Sequence, residues 1–229
     1  MTAQIPDKVY HGSSEYNLIG YKGDNLPTPQ TYGIKPVMWS TACYRGYVAT
    51  YAVQKSGLFL SSLHIGRLDT DSAWVAINGV EPETVYEEGY SVSAANPGER
   101  VMKRWEDGRI YNNLNLPTYF SGGILVGRVF IRELYVHMGF GKPYQYETVL
   151  ELLFHEGHMV DLIDRSEQAA AWRARVIADH EAQQRRIDGY VGNEPLDKLN
   201  DRSEAPRDER LKGIEWRFSL DYSEWFGEY

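Results

Sequence analysis

Cysteine is nearly missing from this chain of 229 residues, where Cys43 stands alone. That excludes an internal disulfide framework and a cysteine-rich zinc site. No apolar run approaches the roughly 18 residues of a bilayer-spanning helix, and Met1–Lys8 carries no apolar signal segment. Neither a membrane span nor Sec export is expected, and the cytoplasm is the expected compartment. Positive charge is in deficit, with 24 Lys and Arg against 32 Asp and Glu and a formal net charge of −8. Non-specific nucleic-acid binding is not expected on that balance, although a local basic cleft would survive it. There is no internal repeat and no low-complexity tract.

What the chain has in quantity is tyrosine and tryptophan, 17 and 6 residues. Each joins an apolar body to a polar tip, which suits half-wet ligand walls and interfaces. A β-rich fold accounts for the same enrichment without any ligand, because aromatics favour strands.

The expected fold class is α+β: a curved, mostly antiparallel sheet with a C-terminal helix and a returning C-terminal strand. Residues 1–165 read as a β-rich ligand-binding domain. Lys8–His11 forms a short first strand closed by Gly12-Ser13-Ser14, and the Pro- and Gly-bearing stretch Asn17–Lys35 reads as a loop. Val37–Ala42 reads as a strand. Arg45–Val53 and Leu58–Ile65 flank a Gly-ended turn and predict a hairpin. Trp74–Ile77 before Asn78-Gly79 is a further strand-and-turn signal. Glu81–Asn115 shows no clean period and reads as a long surface excursion, with a short helix over Pro97–Trp105. Tyr119–Phe130 and Glu133–Met138 read as strands, and Tyr146–Phe154 with His158–Ile163 as a second hairpin turning at Glu156-Gly157.

Residues 166–229 read as a helix, a charged linker and a terminal strand, packing on the same domain or on a partner subunit. Asp164-Arg165-Ser166-Glu167 resembles a capping box, and Ala169, Trp172, Val176 and His180 share one helical stripe that stops at Gly189. Gly192–Gly213 is the linker. Ile214–Tyr222 alternates strictly between apolar and polar residues, the pattern of a half-buried strand. If that strand crosses to a partner, it makes a homo-oligomer or grips another protein as an inhibitor.

Two segments hold most of the candidate chemistry. In Trp39–Tyr51, Arg45 suits bidentate capture of a phosphate or carboxylate, and Tyr47 and Tyr51 share its strand face, ready to stack on a ring. Arg45 paired to a carboxylate inside a central strand is the structural alternative. In Tyr135–Tyr146, the loop around Gly139 and Gly141 offers backbone N–H groups for an anion, with His137 and Lys142 adding charge. A plain glycine turn is the alternative there. Together Arg45, Tyr47, Tyr51, His137, Gly139, Gly141 and Lys142 predict a site for a small anionic, nucleotide-derived ligand. No cofactor is expected. His155-Glu156-Gly157-His158 brings two imidazoles across a turn without a third ligand, so no metal is expected either. Cys43 reads as a buried thiol rather than a nucleophile.

Tyr10-His11-Gly12-Ser13 resembles the opening strand of ADP-ribosyltransferases, in which the His orients a dinucleotide ribose. That resemblance implies an enzyme acting on NAD or a nucleotide, with His11, Tyr51 and Glu147 or Glu151 as candidates. The hairpin after Trp39 departs from the helix that family places there. Trp39–Leu60 and Tyr135–Tyr146, the latter with its Tyr-Val-His-Met-Gly core, are similar to segments of an uncharacterised group of bacterial and phage-encoded proteins. This second resemblance implies that the two segments belong to one domain. A phage setting is compatible with a protein that sequesters a host immune signal.

Overall fold

A computed structural model describes residues 2–92 and 100–190 of the chain, with helical side chains as far as Glu181. Among the described residues twelve strands and one α-helix follow in order. They are β1 Lys8–His11, β2 Ser14–Asp24, β3 Pro36–Val37, β4 Tyr47–Gln54, β5 Gly57–Ile65 and β6 Arg67–Leu68. Then come β7 Glu83–Val92, β8 Arg100–Tyr111, β9 Leu116–Pro117, β10 Ser121–Phe130, β11 Tyr146–His155, β12 His158–Asp164 and α1 Ser166–Tyr190. The fold is α+β with a mostly antiparallel sheet, as the patterning predicts. No described helix is long and apolar enough to cross a membrane.

The main sheet runs β12-β11-β10-β2-β1-β4-β5-β8-β7, and β12 also meets β5 at His158 and Gly57. Leu58 N–H donates to the Gly157 carbonyl and Met159 N–H to the Ser56 carbonyl across that junction. Seven strands therefore close into a ring, and closure removes edges that would otherwise stay unpaired. Only β1 and β4 run parallel. The outer edge of β5 is shared out along its length: Gly57 meets β12, Phe59 and Leu60 meet β9, and Leu63–Ile65 meet β8.

Alternation along the strands fills the ring. Val9, Leu18, Ala49, Tyr51, Leu60, Ile124 and Leu152 come from six different strands and belong to one buried cluster. The opposite face of β10 and β11 presents Leu125, Tyr146 and Val149 to the helix residue Ala169, with Phe130 and Trp172 packed alongside. The first turns of α1 thus cover one outer flank of the ring. Arg165, just before the helix, pairs with the fully buried Glu151 at 2.5 Å.

Both expected hairpins are present. Lys55 and Ser56 adopt φ of 48° and 69°, the positive-φ pair that two-residue hairpins prefer. Other expectations need correction. Asn17–Lys35 is mostly β2 and a 3₁₀ turn at Pro29–Tyr32, because Gly20 and Gly23 sit inside a strand rather than ending one. The excursion Glu81–Asn115 contains the long β7–β8 hairpin, and Arg100–Trp105 is strand where a short helix was expected. Of the proposed Val37–Ala42 strand only Val37 is in one, the two-residue β3. Trp74–Ile77 is not a strand, although the Asn78-Gly79 turn does bridge Ile77 to Val80. Glu133–Met138 holds a 3₁₀ turn and irregular backbone instead of a strand. The charged linker Gly192–Gly213 and the strand Ile214–Tyr222 lie outside the described residues, as do Pro97–Glu99.

Gly23 and Gly122 face each other across β2 and β10 at φ of 140° and 141°. A Cβ at Gly122 would sit 2.1 Å from the Lys22 carbonyl oxygen. Backbone cannot yield as a flexible side chain can. Gly122→Ala should therefore destabilise the protein by at least about 2 kcal/mol, read as a lower midpoint in urea denaturation.

Candidate functional site

The N-terminal segment lies beside the residue 135–146 stretch. Ala3 bridges Gly139, and the Gln4 N–H donates to the Gly139 carbonyl at 2.8 Å. Gln4 is buried, and its side chain ties the N-terminal segment to the loop at residues 41–44. Its amide donates to the Thr2 and Thr41 carbonyls and its oxygen accepts from Tyr44 N–H. Gln145 plays the same part on the other side, accepting from Lys142 N–H and donating to the Leu134 carbonyl. Arg173 of α1 donates to the Tyr144 and Tyr146 carbonyls.

Between these segments opens a cleft of about 280 Å³. Phe130, Tyr135, Phe140, Tyr144 and Tyr146 supply aromatic walls, and Gln4, Asn17 and Gln145 supply amides. Lys142 is the one cationic side chain among the described lining residues. No aspartate or glutamate is among them. In a chain with a net charge of −8, that lack of a described carboxylate sets the lining apart.

The floor has a defined hydrogen-bond polarity. Lys8 Nζ donates to Asn17 Oδ1 at 2.8 Å, which orients the amide. Asn17 Nδ2 then donates to the Tyr146 hydroxyl at 3.2 Å. The phenol accepts that bond, so its own proton is left for another acceptor. Burial pushes the Tyr146 phenol up, so it remains a donor at neutral pH. Lys8 is itself held by Glu15 at 2.9 Å, and Glu15 also accepts from Tyr10 at 2.5 Å.

The sequence-predicted residues divide around this cleft. Gly139, Gly141 and Lys142 line it. Arg45 does not. Its two terminal nitrogens donate to both oxygens of Asp7, at 2.7 and 3.0 Å, so its fork is already filled. Burial pulls the guanidinium down, but the Asp7 carboxylate more than reverses this and holds it above its ordinary value. Arg45 also lies over the rings of Tyr47 and Phe140, at 4.9 and 5.1 Å. It therefore backs the cleft through Phe140 rather than entering it. Tyr47 is buried beneath Arg45, and burial pushes its phenol up to about 12. Tyr51 is inside the ring, where its hydroxyl donates to the Pro27 carbonyl. Its ring has no face left for a ligand. His137 is exposed and stands edge-on to Tyr135 at 4.8 Å, outside the lining.

The residues suggested by the ADP-ribosyltransferase resemblance are not gathered in one place. Tyr51 points into the ring, Glu151 is held by Arg165 beneath α1, and Glu147 is exposed on the outer side of β11. Cys43 is buried, its thiol donating to the Tyr47 carbonyl, and burial pushes the thiol up. His155 and His158 face each other across their turn, and no group of three ligating side chains occurs among the described residues.

Gln4, Asn17, Phe130, Tyr144 and Tyr146 were not anticipated as site residues. Tyr144 and Tyr146 lay inside the polar-aromatic segment, so density of aromatics was a usable signal. Gln4 and Asn17 had none, because their roles depend on contacts 37 and 129 residues away. Comparisons with protein-family models, with curated proteins and with solved structures find no match to this chain.

The geometry makes Arg45 a positioning residue. Asp7→Ala should cost about 3 kcal/mol, the scale for stripping one partner from a buried ion pair, measured by urea denaturation. Arg45→Ala should cost a similar amount. Arg45→Lys should recover only part of the loss, since an ammonium cannot bridge both carboxylate oxygens.

Proposed function

We propose that the protein binds a small, ring-bearing anionic ligand, nucleotide-derived in the simplest case, in the cleft between its N-terminal segment and residues 135–146. The observation that carries this reading is the lining itself: five aromatic rings, one lysine and no described carboxylate. Aromatic walls with few convergent polar groups are the usual make-up of small-molecule sites. Lys142 would offset the ligand's charge, the Tyr146 O–H would donate to one of its oxygens, and Tyr135 or Tyr144 would lie against the ring.

At about 280 Å³ the cleft is at the small end of ligand pockets. It suits one ring with its anionic group better than a dinucleotide. Nothing in this arrangement needs a bond to break, and sequestering a nucleotide signal would require binding alone.

Isothermal calorimetry with 5′-AMP and 3′,5′-cyclic AMP tests the reading, with NAD as the oversized comparison. The mononucleotides should bind and NAD should bind more weakly. Tyr146→Phe should weaken binding about tenfold, the scale of one hydrogen bond to a charged acceptor. Lys142→Met should weaken it at least as much and flatten its salt dependence. Absence of heat and of thermal shift with all three probes would remove the nucleotide reading.

A further inference from the structure

Strands β7 and β8 leave the ring and continue as a two-stranded ribbon. Only Arg109–Tyr111 of β8 pairs with β5, whereas the β7–β8 register extends from Glu83 and Ile110 out to Val92 and Arg100. The root is firmly set. Trp39 donates from its indole N–H to Asp107 at 3.1 Å and stands edge-on to His64 at 4.5 Å. Beyond that root every described residue of Arg100–Glu106 is exposed.

Such a ribbon has no core of its own, and isolated two-stranded hairpins are marginal in water. Its composition is not that of a solvated arm. Residues directly opposite in an antiparallel pair share a face, so Tyr86, Glu88 and Tyr90 lie with Glu106, Arg104 and Met102. Tyr90 is 67% exposed, Met102 54% and Tyr86 50%, which makes this the more apolar and open of the two faces. Arg104 lies over the Tyr86 ring at 4.2 Å. The other face carries Glu87, Lys103 and Trp105, with the indole over Gly89.

We infer that this face is a docking surface for a second copy of the same chain. Charge complementarity selects that occupant. On the open face β7 carries the acid Glu88 and β8 carries the base Arg104. A two-fold axis running along the ribbon lays β7 of one copy over β8 of the other at unchanged height. Glu88 then faces Arg104 of the second copy, and Tyr90 faces Met102 of the second copy, in both halves of the interface. An isologous contact of this kind closes on itself. Pairing edge to edge through β7 is disfavoured instead, because it would crowd the acids Glu83, Glu87 and Glu88 of the two copies along one seam. The contact uses no residue that lines the cleft.

Sedimentation velocity and light scattering on the full chain, from 1 to about 100 µM, test the inference. The expected mass is twice the 26.3 kDa of one chain. Glu88→Arg and Arg104→Glu should each weaken the dimer at least tenfold, and the two changes together should restore it. Circular dichroism should stay unchanged in all three variants, since both side chains are exposed. A single-chain mass at every concentration would overturn the inference. A dimer indifferent to both single charge reversals would overturn it too. So would a dimer lost on deleting residues 213–229 yet insensitive to the reversals, which would place the contact on the terminal segment.

Discussion

Asp7 is the hinge on which this structure depends. One carboxylate accepts both terminal nitrogens of Arg45 and the backbone N–H of Ala49. It thereby joins the approach to β1, the turn before β4 and β4 itself. Without it the Ala49 N–H would be buried without a partner and the guanidinium would keep only the Ile5 carbonyl at 3.4 Å, at a cost of about 3 kcal/mol. Because Arg45 lies over Phe140, the same pair also supports one wall of the cleft more than ninety residues later in the chain. An arginine that looked like a ligand clamp is a strut, and the wall it supports belongs to the cleft.

Ring closure and the cleft are linked through this strut. β1 must run parallel to β4 while pairing antiparallel to β2. That brings the N-terminal segment to the end of the ring where residues 135–146 cross. The helix braces the other side through Arg173. The cleft is therefore set by three elements distant in sequence, each fixed by hydrogen bonds to buried backbone rather than by side-chain packing alone. Its floor inherits a direction from Lys8, an obligate donor that orients Asn17 and leaves the Tyr146 proton outward.

The parts of the fold that could be read from the chain are those decided within about twenty residues. Lys8–His11 is a strand to the residue, and the hairpins at Lys55-Ser56 and Glu156-Gly157 turn where their composition indicates. The helix begins at Ser166, where the Asp164 carboxylate accepts from its N–H. Failures occurred where glycine is part of a strand. Gly23, Gly89 and Gly108 read as breaks, yet all lie in strands, each in close contact with neighbouring backbone or an indole. The β7–β8 ribbon was missed for a related reason. Neither of its faces is buried, so it lacks the alternation that marks a half-buried strand.

The site follows the same division. Aromatic density and the Gly-x-Gly-Lys run around Gly139, Gly141 and Lys142 lie along one wall of the cleft. Lone acidity, a single buried thiol, the hairpins and the start of the helix were also determined locally, by composition and by turn chemistry. That Arg45 is consumed inside, away from the cleft, was decided only by tertiary structure. As a charge in the chain it could equally have faced a ligand. Asp7 folds against it, and an ion pair forms by proximity in space, which no local pattern encodes.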